Sequence, residues 1–320
     1  MNLPWITPLQ EALNERLDHD RLGHAPLIQG PAGVGKRRLA RWLVHRLLCL
    51  QPADGQPCGQ CRACELLDKG THPDHFQVRI PEDKKEIPVD SVRAFNAQLQ
   101  LTGSISERRV GLIEPAEAMN TNAANALLKT LEEPAANAWL VLVSDRPGRL
   151  PATIRSRCQP ISVRPPDHDI ALQWLEGSGP AVDSSRRLQA LTLAGGAPLA
   201  AVRLLEAGGL DFGFQIRSSL LALAQGQGVD QVLSEEWTQE ARSTWQWLAL
   251  WTERATKQRM MAGGDEALDM PIGTAPPATA MAELWQQALE GAALSATSAR
   301  QDLLLGKWLL EWKSVCQQGR

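Results

Sequence analysis

The chain has 320 residues, of which 43% are hydrophobic and 22% charged, an ordinary soluble composition with room for two or three domains. Its formal net charge of −3 excludes a strongly basic nucleic-acid binder, so any DNA contact must be local or shared with partners. Because it has neither a secretory signal pattern nor an apolar run approaching ~20 residues, we expect a cytoplasmic protein with no membrane contact and with its six cysteines reduced.

Apolar runs and amphipathic helices alternate along the first half of the chain. A helix is predicted over residues 9–22, and the apolar pair Leu27-Ile28 then predicts a buried strand before a glycine-rich loop. Four later apolar runs have the length of buried strands, at residues 76–80, 110–113, 139–143 and 161–163. Helical patterns, such as that of residues 120–133, separate several of these runs. Such alternation predicts an α/β fold with a doubly wound parallel sheet.

The glycine-rich loop, GPAGVGK, has the spacing of a phosphate-binding loop. Gly30, Gly33 and Gly35 would allow backbone N–H groups to approach phosphates, and Lys36 would reach the β- and γ-phosphates. The next residue should carry the hydroxyl that binds Mg²⁺, but it is Arg37, which has only donors and a permanent charge. The pattern favours a degenerate nucleotide site at which hydrolysis is not expected. Nucleotide binding is left open, and a turn without a ligand is the alternative.

Four cysteines follow the predicted loop helix in the segment CLQPADGQPCGQCRAC. Thiolates of Cys49, Cys58, Cys61 and Cys64 can close a tetrahedral zinc site, which would be structural because no position is left for water. An iron–sulfur cluster is the rival, although the Cys-Pro ending of common ferredoxin runs is missing. Unrelated reduced thiols are the third interpretation.

The second half of the chain lacks a strand pattern after residues 164–166. Residues 167–207 indicate short helices, with breaks at 177–180 and 195–198, and a Gly-Gly pair at 208–209 opens a section that holds seven of the eleven tryptophans. We interpret these tryptophans as the core of a helical bundle, since stacking on bases would require interleaved basic residues. Residues 263–277 are predicted to form a loop between bundle helices.

Together these motifs resemble the bacterial DNA polymerase III clamp loader, within the AAA+ ATPases. The cysteine segment is similar to that family's zinc module, NALLKTLEEP (residues 125–134) to a helix after its second strand motif, and Ser156-Arg157-Cys158 to its arginine-finger motif. The order of elements matches across residues 1–165. The resemblance implies an AAA+ domain at 1–165 with a zinc module inserted at 49–64, a helical lid domain at 166–207 and a helical collar domain at 208–320.

Departures from the family pattern indicate which kind of subunit this is. Motor subunits carry Asp-Glu after the strand that follows the cysteine module, where this chain has Glu114 and Pro115. The motors' lid arginine, which senses the γ-phosphate, corresponds here to Leu199. With Arg37, three catalytic parts are therefore missing. The resemblance implies a subunit without its own ATPase that supplies Arg157 in trans to a neighbour's ATP.

The partners implied by the resemblance are clamp-loader motor subunits and a delta subunit in a five-subunit ring. That ring would act on a sliding clamp and primed DNA. Direct DNA contact by Lys129 is one interpretation, and a solvated helix-face charge is the favoured one. Two other functions stay open, namely a self-sufficient AAA+ ATPase and a zinc-containing DNA-binding protein that forms no ring.

Overall fold

Five parallel strands form the sheet of the amino-terminal part of the chain. The strands are β1 (Pro26–Gln29), β2 (His75–Val78), β3 (Arg109–Ile113), β4 (Ala138–Ser144) and β5 (Gln159–Ser162), in the spatial order β2-β3-β4-β1-β5. The register pairs Leu27 of β1 with Leu142 of β4 and with Pro160 of β5. Every residue of β3 is buried, as expected for a strand covered on both faces.

The computed structural model describes residues 2–260, 270, 272, 276–295 and 297–317, and it divides into two units, Met1–Val202 and Arg203–Arg320. Helices of the first unit are α1 (Thr7–Asp18), α2 (Lys36–Leu48), α3 (Arg62–Asp68), α4 (Val89–Leu99), α5 (Thr121–Glu132), α6 (Ala152–Arg155), α7 (His168–Ser178) and α8 (Ser184–Leu193). Helix α9 (Pro198–Glu206) contains the division. The second unit has α10 (Gly209–Ala224), α11 (Glu235–Gln239), α12 (Ala241–Met260), α13 (Ala278–Leu294) and α14 (Gln301–Gln317).

The core of the first unit follows the alternation of side chains along the strands. Ile113 of β3 joins an apolar cluster that includes Phe95 of α4 and Leu127 of α5. Its neighbour Leu112 points to the opposite face, where it lines a cavity beside α2. Helices therefore cover both faces of a parallel sheet, which confirms the predicted α/β fold class and its five strands.

The first helix ends at Asp18 rather than at residue 22, because Asp20 adopts a positive φ of 51° that a right-handed helix does not tolerate. The division into domains at 165 and 207 stays a prediction. The predicted loop at 263–277 lies largely outside the described residues.

Six of the seven tryptophans predicted as bundle core are buried in the second unit, but the prediction is wrong for Trp285, which is 39% exposed. Trp251, Trp308 and Trp312 are fully buried, and their indole N–H groups donate to backbone carbonyls at 2.8–3.0 Å. Rings of Trp308 and Trp312 stack with centroids 5.6 Å apart, and those of Trp247 and Trp251 with centroids 5.9 Å apart. Each indole thus buries a large apolar surface while its polar atom keeps a partner, as a core tryptophan requires.

Among the described helices, none is by itself long and apolar enough to cross a bilayer. One bent pair, Ser184–Leu193 with Pro198–Glu206, meets the requirement by length and composition only.

Candidate functional site

The loop after β1 has the conformation of a phosphate-binding loop. Gly30, Gly33 and Gly35 have φ values of 150°, 86° and 97°, in the region that side chains other than glycine rarely adopt. A Cβ atom on Gly30 would lie 2.0 Å from the carbonyl oxygen of Val163, so the backbones also approach too closely for any other residue. Lys36 opens α2 directly after this loop, as the sequence predicts.

Lys36 is engaged by the chain itself. Its ammonium lies 2.7 Å from Oδ1 of Asp145 and donates to the carbonyl oxygen of Pro31 at 2.5 Å, and only 3% of its side chain is exposed. Asp145 follows the carboxyl end of β4. The charge that would reach a β- or γ-phosphate is therefore already neutralised by a carboxylate.

A second ion pair involves Arg37, which stands where a phosphate loop has its Mg²⁺-binding hydroxyl. Arg37 pairs through Nε with the carboxylate of Glu114, which is buried and directly follows β3. Pro115 follows and has no polar side chain. A guanidinium cannot ligate a cation, and the carboxylate it pairs with is thereby taken from any metal.

The outer side of the phosphate loop is covered by two other segments of the same unit. Leu199, at the start of α9, donates its backbone N–H to the carbonyl of Gly33 at 3.0 Å. A Cβ on Gly33 would lie 2.6 Å from the Cβ of Ala200. From the N-terminal segment, Trp5 donates its indole N–H to the carbonyl of Val34 at 2.8 Å. These contacts restrict access to the loop.

Arg157 is at the surface, just after the short helix α6. Its guanidinium bonds to Oε1 of Glu132 through Nε at 2.7 Å, with a second nitrogen at 2.5 Å, and it donates to the carbonyl of Thr153 at 3.0 Å. About a third of the side chain is exposed, at 35%. Glu132 thus holds the guanidinium in one orientation at the surface.

The four predicted cysteines come together in one cluster. Their sulfur atoms all lie within 4.8 Å of one another, with Cys49 Sγ 3.6 Å from Cys58 Sγ and 3.9 Å from Cys61 Sγ. A tetrahedral ion with bonds of about 2.3 Å to each sulfur requires sulfurs about 3.8 Å apart. Cys64, in α3, is fully buried. The cluster can hold a metal ion such as zinc.

Backbone N–H groups donate to two of the four sulfurs. The N–H of Cys58 donates to Cys49 Sγ at 3.3 Å, and that of Cys61 to Cys58 Sγ at 3.3 Å. Burial acts to raise the pKa of the Cys61 thiol, but hydrogen bonds from the backbone of Cys64 and Leu50 lower it to about 6. Burial raises the pKa of the Cys49 and Cys64 thiols above the ordinary value. Thiolates rather than thiols bind metals, so the environment of Cys61 favours the form that binds a metal.

Two acidic residues of structural importance were missed by the sequence analysis. Asp145 had a usable signal, since it is a polar residue directly after a buried strand and such residues meet at the carboxyl edge of a parallel sheet. Asp74 had no such signal. Its buried carboxylate accepts backbone N–H groups of Ser104, Ile105 and Ser106 at 2.7–2.9 Å, through a loop thirty residues away in sequence.

The loop and the strand order together define the class of protein. A phosphate-binding loop after the first strand of a parallel sheet ordered β2-β3-β4-β1-β5, followed by helical segments, is the arrangement of an AAA+ module.

Comparisons with known proteins agree with this class and narrow it. Residues 7–167 match a family model described as DNA polymerase III, delta subunit. The chain is 42% identical over 234 residues to the DNA polymerase III subunit delta' of Pseudomonas aeruginosa, covering 73% of this chain and 70% of that protein. It is 32% identical to the Escherichia coli subunit delta', covering 99% and 96% of the two chains.

A solved structure of a DNA polymerase III gamma subunit-related protein from Thermotoga maritima aligns with a TM-score of 0.47 and 17% identity, covering 96% of this chain and 99% of that one. On the strength of the two delta' relatives and the family model, the chain belongs to the family of DNA polymerase III delta' subunits, which are clamp-loader subunits. The resemblance to clamp loaders noted in the sequence is confirmed.

Proposed function

We propose that this chain is the non-hydrolysing subunit of a clamp-loader ring and supplies Arg157 to ATP bound by a neighbouring motor subunit. The ring would contain motor subunits and a delta subunit, and it would use ATP to load a sliding clamp onto primed DNA in the cytoplasm. The helices of residues 208–320 would form the collar through which the subunits assemble.

The main support for a subunit that does not hydrolyse ATP is that both cations of the phosphate loop, Lys36 and Arg37, already form ion pairs within the chain. ATP hydrolysis needs a free cation for the phosphates, a hydroxyl for Mg²⁺ and a group that polarises water. Here Lys36 pairs with Asp145, Arg37 pairs with Glu114, and Pro115 offers no acid. Binding of Mg·ATP would require both pairs to break. These features support a subunit without turnover of its own, and they favour weak nucleotide binding or none.

The surface position of Arg157 supports its role in trans. A guanidinium is suited to the γ-phosphate because its planar donors match phosphate oxygens and its charge does not titrate. In related phosphoryl-transfer systems an arginine finger contributes about 10³–10⁵ in rate. Glu132 holds the side chain in this subunit and would be exchanged for the neighbour's phosphate on assembly.

We also propose that the cysteine cluster holds one structural zinc ion. Cys49, Cys58, Cys61 and Cys64 would close its coordination shell, and the bound ion would supply a cross-link with no chemistry of its own. This cross-link would fix the segment between α2 and α3, which has no strand or long helix to order it. A closed shell gives no reason to assign the metal a part in ATP hydrolysis.

Reconstitution with motor and delta subunits tests the role of Arg157. We expect Arg157→Ala to assemble normally while DNA-stimulated ATP hydrolysis at the adjacent site falls by about 10³. Arg155→Ala is the matched control, since Arg155 is exposed two residues earlier in the same segment. Equal loss in both variants, or no loss in Arg157→Ala, would exclude the finger. Turnover by the isolated chain that disappears in Lys36→Ala would instead identify a self-sufficient ATPase.

A further inference from the structure

Strand β2 forms one edge of the sheet, and in the part of the chain that the structure describes it pairs with β3 alone. The carbonyls of Asp74 and Val78 accept the N–H groups of Val110 and Glu114 at 2.9 and 3.0 Å. In a parallel pair, successive residues direct their backbone N–H and C=O groups alternately towards and away from the neighbouring strand. Since Val78 bonds to β3, the N–H and C=O of the preceding Gln77 point away from β3. Gln77 is exposed, so these groups can take up another strand.

A cavity lies on each side of this edge. On the side of α2 the cavity has a volume of about 960 Å³, and on the side of α4 one of about 390 Å³. His75, Gln77 and Arg79 line both. The free edge and its two flanking cavities are called the edge groove below. An added strand would direct successive side chains alternately into the two cavities, as any strand does.

The two cavities differ in chemistry. The larger one is lined by five basic and two acidic side chains, namely Arg37, Arg38, Arg41, Lys69 and Arg79 with Asp68 and Glu114. Asp68 pairs with Arg41 and Glu114 with Arg37, so both acids are already used. Lys69 and Arg79 have no ion-pair partner among the described residues. The smaller cavity has a mixed lining, in which Phe76, Val78, Ala94 and Phe95 lie beside five polar residues, namely His75, Gln77, Arg79, Ser91 and Gln98.

We propose that the edge groove binds an extended acidic segment of a partner protein as a sixth strand of the sheet. Backbone hydrogen bonds to Gln77 would supply affinity. Acidic side chains at alternate positions would meet Lys69 and Arg79, and apolar ones at the intervening positions would enter the cavity beside Phe76. This is strand addition with side-chain pockets that select the sequence.

The same basic charge attracts nucleic acid, but two features favour a peptide. A base would need an aromatic face to stack on, and no phenylalanine or tryptophan is among the described residues that line the larger cavity. The outward N–H and C=O of one strand residue form a donor–acceptor pair that the N–H and C=O of another peptide backbone match. A sugar–phosphate backbone offers phosphate acceptors and does not match this pair. The net positive charge lies in a chain whose total charge is −3, so it is local to this groove.

The test uses the full chain and a fluorescein-labelled peptide of about seven residues with alternating glutamate and valine, long enough to span β2. Fluorescence anisotropy gives its dissociation constant. We expect a peptide with lysine in place of glutamate to bind at least about tenfold more weakly, and alternate backbone N-methylation to abolish binding while leaving the charge unchanged. A single-stranded oligonucleotide is measured in parallel.

Variants of the protein locate the site. Arg79→Glu should weaken binding of the acidic peptide by about tenfold, whereas Arg16→Glu, an equal charge change at an exposed position of α1, should not. Gln77→Pro removes the outward N–H together with the amide side chain and should weaken binding as well, with the melting temperature and circular dichroism verifying the fold.

Three outcomes would overturn the proposal. The first is equal binding of the acidic and basic peptides, and the second is binding that is insensitive to both N-methylation and Gln77→Pro. The third is an Arg79-dependent oligonucleotide complex without peptide binding.

Discussion

The ion pair between Lys36 and Asp145 gives the sharpest test of how the phosphate loop is held. Replacing Asp145 by asparagine keeps the shape of the side chain and removes its charge. Lys36 would then keep a buried ammonium with only the carbonyl of Pro31 as a partner. Because a buried charge without a counter-charge is costly, the folded state should lose stability.

The magnitude follows from the exposure of the two side chains. Removing one partner of a fully buried ion pair costs about 3–5 kcal/mol. Lys36 is 3% exposed, but Asp145 is 41% exposed, so water screens part of the interaction. We therefore expect Asp145→Asn to lower the free energy of unfolding by about 2 kcal/mol. For a unit of this size that corresponds to a fall of about 4–8 °C in melting temperature.

Calorimetry of four chains measures this: wild type, Asp145→Asn, Lys36→Met and the double variant. Lys36→Met removes the ammonium and keeps most of the side-chain volume. The double variant should regain most of the stability lost in Asp145→Asn, with a coupling energy of about 1–2 kcal/mol. A loss under about 0.5 kcal/mol in Asp145→Asn, or strictly additive effects, would refute the argument that this pair holds the loop.

Three further predictions concern the metal centre, the helical unit and the acid stability. The purified chain should contain about one zinc ion, and Cys64→Ala should lose it together with several degrees of melting temperature. Gly291→Ala should lower the free energy of unfolding by about 1–3 kcal/mol, because a Cβ there would lie 2.4 Å from the ring of Trp245. Gly306→Ala, where the nearest side-chain atom would be 3.9 Å away, should instead stabilise the helix by about 0.5–1 kcal/mol. Although burial acts to raise the pKa of Asp74, backbone N–H groups of the 104–106 loop hold it below its ordinary value. Its stabilising contribution is therefore complete above the ordinary pKa of about 4 and is lost as the pH falls through the lower native pKa.

Each of these has a control. For zinc, Cys158→Ala should leave the metal content unchanged, since Cys158 is a buried thiol outside the cluster. For the glycines, a loss of stability in both variants would contradict the steric argument. For Asp74, Asp74→Asn should be less stable than wild type at pH 7, and the two free-energy curves should converge in acid. Parallel curves down to pH 2 would show that the carboxylate charge is not what the loop binds.

Strands and helices that are buried on one or both faces could be predicted from the sequence because burial leaves a periodic apolar pattern. All five strands lie within two residues of their predicted positions, and the helix after Asn120 begins where that residue caps it, accepting the N–H of Ala123. Helix α4 was not predicted, since only Val92, Phe95 and Leu99 of its residues are buried. Three apolar side chains are too few for this helix to be predicted from the periodicity of the sequence.

In the candidate site, too, the residues that follow a local sequence pattern could be predicted and those brought together only by folding could not. Gly30, Gly33, Gly35, Lys36 and the four cysteines could be found because a turn and a metal shell require particular residues at particular spacings. The partners of Lys36 and Arg37 could not, because Asp145 and Glu114 reach the loop only once β4 and β3 lie beside β1. Contacts between segments more than seventy residues apart leave no local pattern.

The stacked indoles of the second unit also affect its optical properties. The chain has eleven tryptophans and no tyrosine, so its aromatic spectrum above 290 nm comes from indole alone. Trp308 and Trp312 lie 15° from parallel, and Trp247 and Trp251 lie 19° from parallel. Transition dipoles at such separations couple, so the near-ultraviolet dichroism of this chain should carry an exciton signal that reports on helix packing without any added dye.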